Sequence, residues 1–348
     1  MKKLLYGFVG GCLLLGASAS LASERTTPLK VVTTFSLLQD MTEVVGGDRV
    51  QVTSLVGANE DPHVYQPRPS DSRTLAEADL FIKNGLQLKG WGERLVDASG
   101  YRGPKVIATQ GIERLKMADG HSHDHGHKHG HSHDHGHKHG HSHDHSHKRE
   151  HNHSHGHGHK HGHSHGHHHH DHGDYDPHAW QSLVRAQVYV DNILKGLIEA
   201  DPEGEAYYRA RAEAYQQEMQ ALHEGFKARF QALPDNRRKV MTPHDAFGYL
   251  ADEYGLTFLS PQGVSTASEP SAREMASLVR QLREQEVAAL FMENIGDTRL
   301  IAQLQRETGA AVGGTLFSDA LSDEDQPAST YLKMISHNLE TLLSALEQ

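Results

Sequence analysis

Short apolar runs rich in β-branched residues alternate along this chain with longer stretches of helical period. Residues 30–35 (KVVTTF), 50–56, 80–82 and 105–108 have the length and composition of buried strands. Residues 37–45 and 70–78 between them space their apolar side chains as a helix does. The pattern resumes at Trp180, where residues 180–200 read as a helix. Asp201-Pro202 then supplies an N-cap and a proline at the first helical position. The helical pattern that follows runs to Leu233 and is stopped by Pro234. At about 1.5 Å per residue it would span about 45 Å, more than one small domain needs, so it is expected to bridge two. Residues 239–242, 257–259, 287–292 and 311–315 form a second set of strands, and Ser271-x-x-Glu274 has the form of a capping box.

Strand–helix alternation in both halves predicts an α/β fold of two lobes with largely parallel sheets, joined by one long rigid helix. The lobes are expected at 23–200 and 234–348, with the joining helix at 201–233. In such sheets ligands bind beyond the carboxyl ends of the strands, which puts a site in the cleft between the lobes.

One segment breaks the pattern. Residues 121–172 hold 27 of the 32 histidines and contain no Leu, Ile, Val, Phe or Met. The decapeptide HSHDHGHKHG occurs twice, at 121–130 and 131–140. With nothing apolar to bury, the segment is expected to be a disordered insertion in a surface loop, where closure entropy grows only slowly with length. Its imidazoles would give many weak metal sites that empty as pH falls through about 6.

Residues 1–22 have the form of a secretory signal peptide. Lys2 and Lys3 precede an apolar stretch at 4–15, and Ser20-Leu21-Ala22 suits cleavage. A lipoprotein reading would use Val9-Gly10-Gly11-Cys12, but apolar sequence continues beyond Cys12. Cys12 is the only cysteine, so a chain cleaved at Ala22 would carry no disulfide. The expectation is a soluble, exported, periplasmic protein. A net charge of −11, with no Lys/Arg patch, argues against nucleic acid as a partner.

Candidate chemistry lies in three phrases: Asp61-Pro62-His63, Asp176-Pro177-His178 and Thr242-Pro243-His244-Asp245. Each places a lone histidine directly after a proline, on a stiffened turn. His63 and His244 follow predicted strands, and His178 follows the histidine-rich segment. Three imidazoles and one carboxylate suit four-coordinate Zn²⁺. Asp319, in Thr315-Leu316-Phe317-Ser318-Asp319, is the favoured carboxylate, with Glu60 as its rival. Asp61 and Asp176 either make the turns before proline or hold the second ring nitrogen of their histidines. Glu293, at the end of a strand, points to the same cleft. His223 and His337 lie in helices and read as packing or surface residues, and Trp180 and Tyr65 as loop-packing aromatics.

These phrases, extended to Asn59-Glu60-Asp61-Pro62-His63-Val64-Tyr65-Gln66-Pro67-Arg68-Pro69-Ser70-Asp71, Tyr175-Asp176-Pro177-His178-Ala179-Trp180, Thr242-Pro243-His244-Asp245-Ala246-Phe247-Gly248-Tyr249 and Ser318-Asp319-Ala320-Leu321, resemble the zinc-binding solute receptors of metal ABC importers (cluster A-I). The resemblance covers essentially the whole chain after the signal segment. It implies two lobes on a rigid helix, His63, His178, His244 and Asp319 as Zn²⁺ ligands, and a monomeric receptor without enzymatic activity. Its partner would be an ABC permease of the inner membrane, and a periplasmic zinc chaperone could supply it. Manganese members resemble the family with a carboxylate at the third position, where this chain has His244. Some zinc members use water, or a carboxylate beside the first histidine, in place of the aspartate. Two other readings stay open here: a periplasmic zinc chaperone or buffer without a transporter, and a metallohydrolase with Glu293 as base.

Overall fold

The structure is a computed structural model and describes residues 27–88, 90–117, 175–261, 266, 271–296 and 298–348. The signal-peptide reading at 1–22 and the histidine-rich segment at 121–172 lie outside the described residues. So does the Glu274 side chain on which the capping-box reading rests.

Two four-stranded sheets, parallel throughout, form the cores of two lobes. The first contains β1 (Leu29–Phe35), β2 (Val50–Val56), β3 (Leu80–Lys83) and β4 (Lys105–Ile107) in the order β2-β1-β3-β4. The second contains β5 (Lys239–Met241), β6 (Thr257–Leu259), β7 (Ala289–Glu293) and β8 (Val312–Leu316) in the equivalent order β6-β5-β7-β8. The helices α1 (Ser36–Gly46), α2 (Pro69–Ala76) and α3 (Trp91–Ser99) connect the strands of the first sheet. The same role falls to α6 (Gly248–Tyr254), α7 (Ala272–Glu284) and α8 (Thr298–Thr308) in the second. Six of the seven residues of β1 are buried, as expected of a parallel strand covered on both faces. In each sheet the strand order reverses beside the first strand of that lobe, which makes the β1/β3 and β5/β7 strand ends the switch points.

Between the sheets run α4 (Leu183–Ala200) and α5 (Glu205–Ala232); α9 (Tyr331–Leu346) ends the chain. The 28 residues of α5 span about 42 Å. This helix packs on α1 and α4 in the first half and on α6 and α9 in the second. Its Tyr215 hydroxyl donates to Asp40 at 3.4 Å. Farther along, His223 pairs with Glu253 at 2.7 Å, and Arg229 reaches Glu340 at 2.7 Å. The long helix expected from the sequence is therefore present and is pinned to both lobes by polar side chains.

Two boundaries differ from expectation. Residues 179–181 form a 3₁₀ turn, and α4 starts only at Leu183, because the Ser182 hydroxyl caps it by accepting from Arg185 N at 3.1 Å. Asp201 does not cap α5: residues 202–204 make another 3₁₀ turn. Its buried carboxylate accepts instead from Arg49 at 2.8 Å and from the Tyr208 hydroxyl at 2.6 Å. A buried charge needs such partners more than a helix end needs a cap.

Candidate metal centre

The first two Asp-Pro-His phrases fold alike. After β2, the Asp61 carboxylate accepts from His63 N at 2.7 Å, and the Pro62 carbonyl accepts from Trp91 Nε1 at 3.1 Å. In the chain leading to α4, Asp176 Oδ1 accepts from His178 N at 2.8 Å, and Asn84 Nδ2 donates to the Pro177 carbonyl at 3.0 Å. Each aspartate closes the turn over its proline and fixes where the histidine leaves the backbone. His244 follows β5 at the second switch point, beside the end of β7. There Glu293 Oε1 accepts from His244 N at 3.1 Å. Asp319 lies three residues past the end of β8.

These turns bring four side chains to one point, two from each lobe. His63 Nε2 lies 3.2 Å from His178 Nε2 and 3.2 Å from Asp319 Oδ2. His244 Nε2 is 3.1 Å from Asp319 Oδ2, and His178 Nε2 is 3.5 Å from Asp319 Oδ1. One ligand atom from each of the four falls within 4.8 Å of all the others. A regular tetrahedron with bonds of about 2.0–2.1 Å has edges of about 3.3–3.4 Å, and the four separations of 3.1–3.5 Å lie close to that. His178, His244 and Asp319 are fully buried, and His63 is 4% exposed.

Two of the rings are oriented from behind. His178 Nδ1 is 2.7 Å from Asp176 Oδ1, and His244 Nδ1 is 2.5 Å from Glu293 Oε2. The Asp176 carboxylate at Nδ1 of His178 places the ring proton there and turns its Nε2 lone pair to the centre, and Glu293 makes a close ion-pair contact on the same side of the His244 ring. Asp319 Oδ1 has no hydrogen-bond donor among the described residues. A buried carboxylate oxygen left in that state is what a cation would satisfy.

The electrostatics agree. Burial disfavours a charged His178, yet the Asp319 and Asp176 carboxylates outweigh it and raise its pKa above the ordinary imidazole value. Burial likewise opposes the charged form of His244, and Glu293 and Asp319 raise it well above that value. Asp319 would be pushed up by burial, but His178 and His244 hold it well below the usual carboxylate range. Three buried carboxylates thus surround three imidazoles, and the centre takes up positive charge either as protons or as a metal ion.

The other candidates fall elsewhere. Glu60 is exposed, and its carboxylate closes a local turn by accepting from Gly57 N at 2.8 Å. The outer oxygen of Asp61 accepts from Thr266 at 2.5 Å, so Asp61 makes its turn and does not brace its histidine. Asp176 does both. His223 is buried against Glu253 and Tyr254, and His337 approaches the Thr315 carbonyl at 3.1 Å. Trp180 packs against the His178 ring with centroids 5.2 Å apart, and Tyr65 packs on Trp91 at 5.1 Å. Sequence reasoning missed Asn84, which holds the Pro177 carbonyl while its own Oδ1 accepts from the Tyr189 hydroxyl at 2.8 Å. A polar residue directly after β3, at a switch point, was the available signal.

Known proteins resemble this chain over most of its length. The family model described as ZnuA, zinc-uptake complex component A, periplasmic, matches residues 31–345. The chain is 28% identical over 357 residues to the manganese-binding lipoprotein MntA of Halalkalibacterium halodurans, covering 100% of both. It is 27% identical over 326 residues to the iron-binding protein YfeA of Yersinia pestis, covering 94% of this chain and 89% of that one. Among solved structures, the periplasmic zinc-binding protein TroA from Treponema pallidum superposes with a TM-score of 0.72 at 26% identity, covering 92% of this chain and 99% of that chain. A manganese-bound periplasmic metal-binding protein from Candidatus Liberibacter asiaticus gives 0.69 at 25% identity, covering 91% and 99%.

Proposed function

The chain belongs to the family of periplasmic A components of zinc-uptake complexes, and we propose that it captures Zn²⁺ and delivers it to an ABC permease of the inner membrane. His63, His178, His244 and Asp319 are the ligands in this reading. The observation that carries it is the convergence of three imidazoles and one carboxylate, each offering a ligand atom within 4.8 Å of the others, at a buried point. Family membership alone does not choose the metal, because relatives are named for manganese, iron or zinc. The donor set favours zinc. Imidazole is a softer ligand than carboxylate or water, which suit manganese and magnesium, and zinc accepts four-coordination readily.

The same geometry speaks for carriage over catalysis. A hydrolytic zinc needs an open position and a free base. Here the fourth position faces Asp319, and Glu293, the only base proposed for that role, is engaged with both the backbone and the ring of His244. The receptor would be exported by the segment at 1–22 and act as a monomer in the periplasm. The histidine-rich segment would act as an auxiliary collector of metal.

Calorimetric zinc titration of the whole chain and of a chain lacking 121–172 tests this reading. One tight site is expected in both, with weaker sites only in the whole chain. In competition, Mn²⁺ should displace Zn²⁺ from the tight site only at a large excess. Loss of the tight site along with the deleted segment would overturn the assignment.

A further inference from the structure

The loop that carries Asp319 has little freedom, because side chains from distant elements hold its backbone. Asn338 clamps the Phe317 peptide at two points, accepting from its N and donating to its carbonyl, both at 2.8 Å. The Ser318 carbonyl accepts from Trp180 Nε1 at 2.8 Å and from Gln181 Nε2 at 2.6 Å, and Gln181 also reaches the Phe317 carbonyl at 3.2 Å. Leu321 N donates to Ser36 Oγ at 3.0 Å, and the Leu321 carbonyl accepts from Asn59 N at 2.8 Å. Trp180, Gln181, Ser318 and Asn338 are fully buried.

Trp180 and Gln181 belong to the 3₁₀ turn that starts directly after His178. One turn therefore presents a ligand of the first lobe and grips the carbonyl next to a ligand of the second. Gln181 Oε1, by contrast, has no hydrogen-bond partner among the described residues. A buried amide oxygen left unsatisfied is destabilising, so glutamine is not the residue that stability alone would place between Trp180 and Ser182. What it contributes is the pair of hydrogen bonds its Nε2 donates to the Ser318 and Phe317 carbonyls.

We propose that Trp180 and Gln181 are positioning residues that lock the Asp319 carboxylate to His178 across the two lobes, and that this lock sets the preference for a four-coordinate cation over larger, higher-coordinate ones. A four-coordinate ion needs all the ligand atoms to stay at tetrahedral spacing. A larger ion that takes six ligands needs the carboxylate to turn and offer both oxygens, or to withdraw and admit water. With the Ser318 carbonyl gripped from two sides, the backbone of the adjoining Asp319 cannot shift to re-aim or withdraw the carboxylate without breaking those hydrogen bonds. The inference rests on the zinc-receptor reading above and assigns its selectivity to residues that never touch the metal.

The test uses the full chain and two substitutions. Gln181→Leu removes both donations at nearly constant volume. Trp180→Phe removes only the Nε1 donation and leaves an aromatic ring against His178. Zn²⁺ and Mn²⁺ dissociation constants are measured, together with the visible spectrum of the Co²⁺-loaded protein, which reports coordination number and does not follow from stability. Zinc affinity is expected to fall by about 10–100-fold in Gln181→Leu, the usual effect of losing a residue that orients a ligand. Manganese affinity should change far less, so the zinc/manganese ratio shrinks, and the intense cobalt bands of four-coordination should weaken as water enters. Trp180→Phe should show the same changes to a smaller degree, and it carries the comparison by itself if Gln181→Leu does not fold. Wild-type selectivity and a wild-type cobalt spectrum in the folded variants would overturn the lock while leaving zinc binding intact. A wild-type chain without a tight zinc site would instead remove the functional reading, and the lock with it.

Discussion

Replacing His244 by alanine is expected to weaken zinc binding in the cleft by about 10²–10³-fold. Four-ligand protein zinc sites bind with about 10–16 kcal/mol at neutral pH, so one ligand carries on average roughly 3–4 kcal/mol. The loss has a second component. Glu293 is buried and faces His244 Nδ1 at 2.5 Å, so truncating the ring leaves a buried carboxylate without its main partner. Breaking such a pair from one side costs about 3–5 kcal/mol. His244→Ala should therefore be less stable even without metal, and zinc should rescue it poorly. Zinc at a thousandfold excess over its dissociation constant stabilises the wild type by about 4 kcal/mol, a rise of about 10 °C in melting temperature, which the variant should not show at the same concentration. Weak binding outside the cleft should persist. Calorimetry and melting curves with and without zinc decide this, and an unaltered tight site in His244→Ala would refute the ligand assignment.

Acid should empty the cleft steeply. Zinc binds neutral imidazole, and both His178 and His244 have pKa values raised in the folded, metal-free protein. Below those values each bound ion displaces up to two protons, so affinity should fall by up to about 100-fold per pH unit. Because the values are raised, the fall should begin above the ordinary imidazole range near 6.5. The stability of the metal-free fold runs the other way. Histidines with raised values stabilise it below their unfolded pKa, and that contribution disappears as pH rises through the folded values. Asp319, held low, stabilises the fold above the ordinary aspartate value, and this is lost only as pH falls through its depressed value. The metal-free protein therefore gives up stability over the range in which its zinc affinity climbs. Competition titrations from pH 5 to 8, with proton release counted in buffers of different ionisation enthalpy, measure the coupling. An affinity independent of pH would contradict it.

Much of this was legible in the chain. The strands announced themselves as short runs rich in apolar and β-branched residues, and in β1 (LKVVTTF) six of the seven residues are buried. The three histidines were legible because proline stiffens the turn before each of them, and His63 and His244 lie in the loops that follow β2 and β5. Asp319 was weaker, since aspartate after a strand is as common in turns as in sites. What stayed hidden depends on contacts made at a distance. Asp201 has the sequence of a cap but serves Arg49 and Tyr208, because burial imposes a stricter demand on its charge than the helix end does. Trp180 and Gln181 follow a helical pattern, yet they form a separate turn, with Ser182 capping the helix behind them and Ser318 receiving their hydrogen bonds from the other lobe. Asn84 reaches a carbonyl 93 residues away and a tyrosine hydroxyl 105 residues away. A side chain that recognises a backbone group across the fold leaves no periodicity and no motif.

The most direct measurement is anomalous diffraction at the zinc edge from crystals of the zinc-loaded protein. One peak is expected about 2.0–2.1 Å from the Nε2 atoms of His63, His178 and His244 and at a similar distance from an Asp319 oxygen. A map with no peak at that point, or with the three imidazoles too far apart to share an ion, would contradict a zinc site built from both lobes.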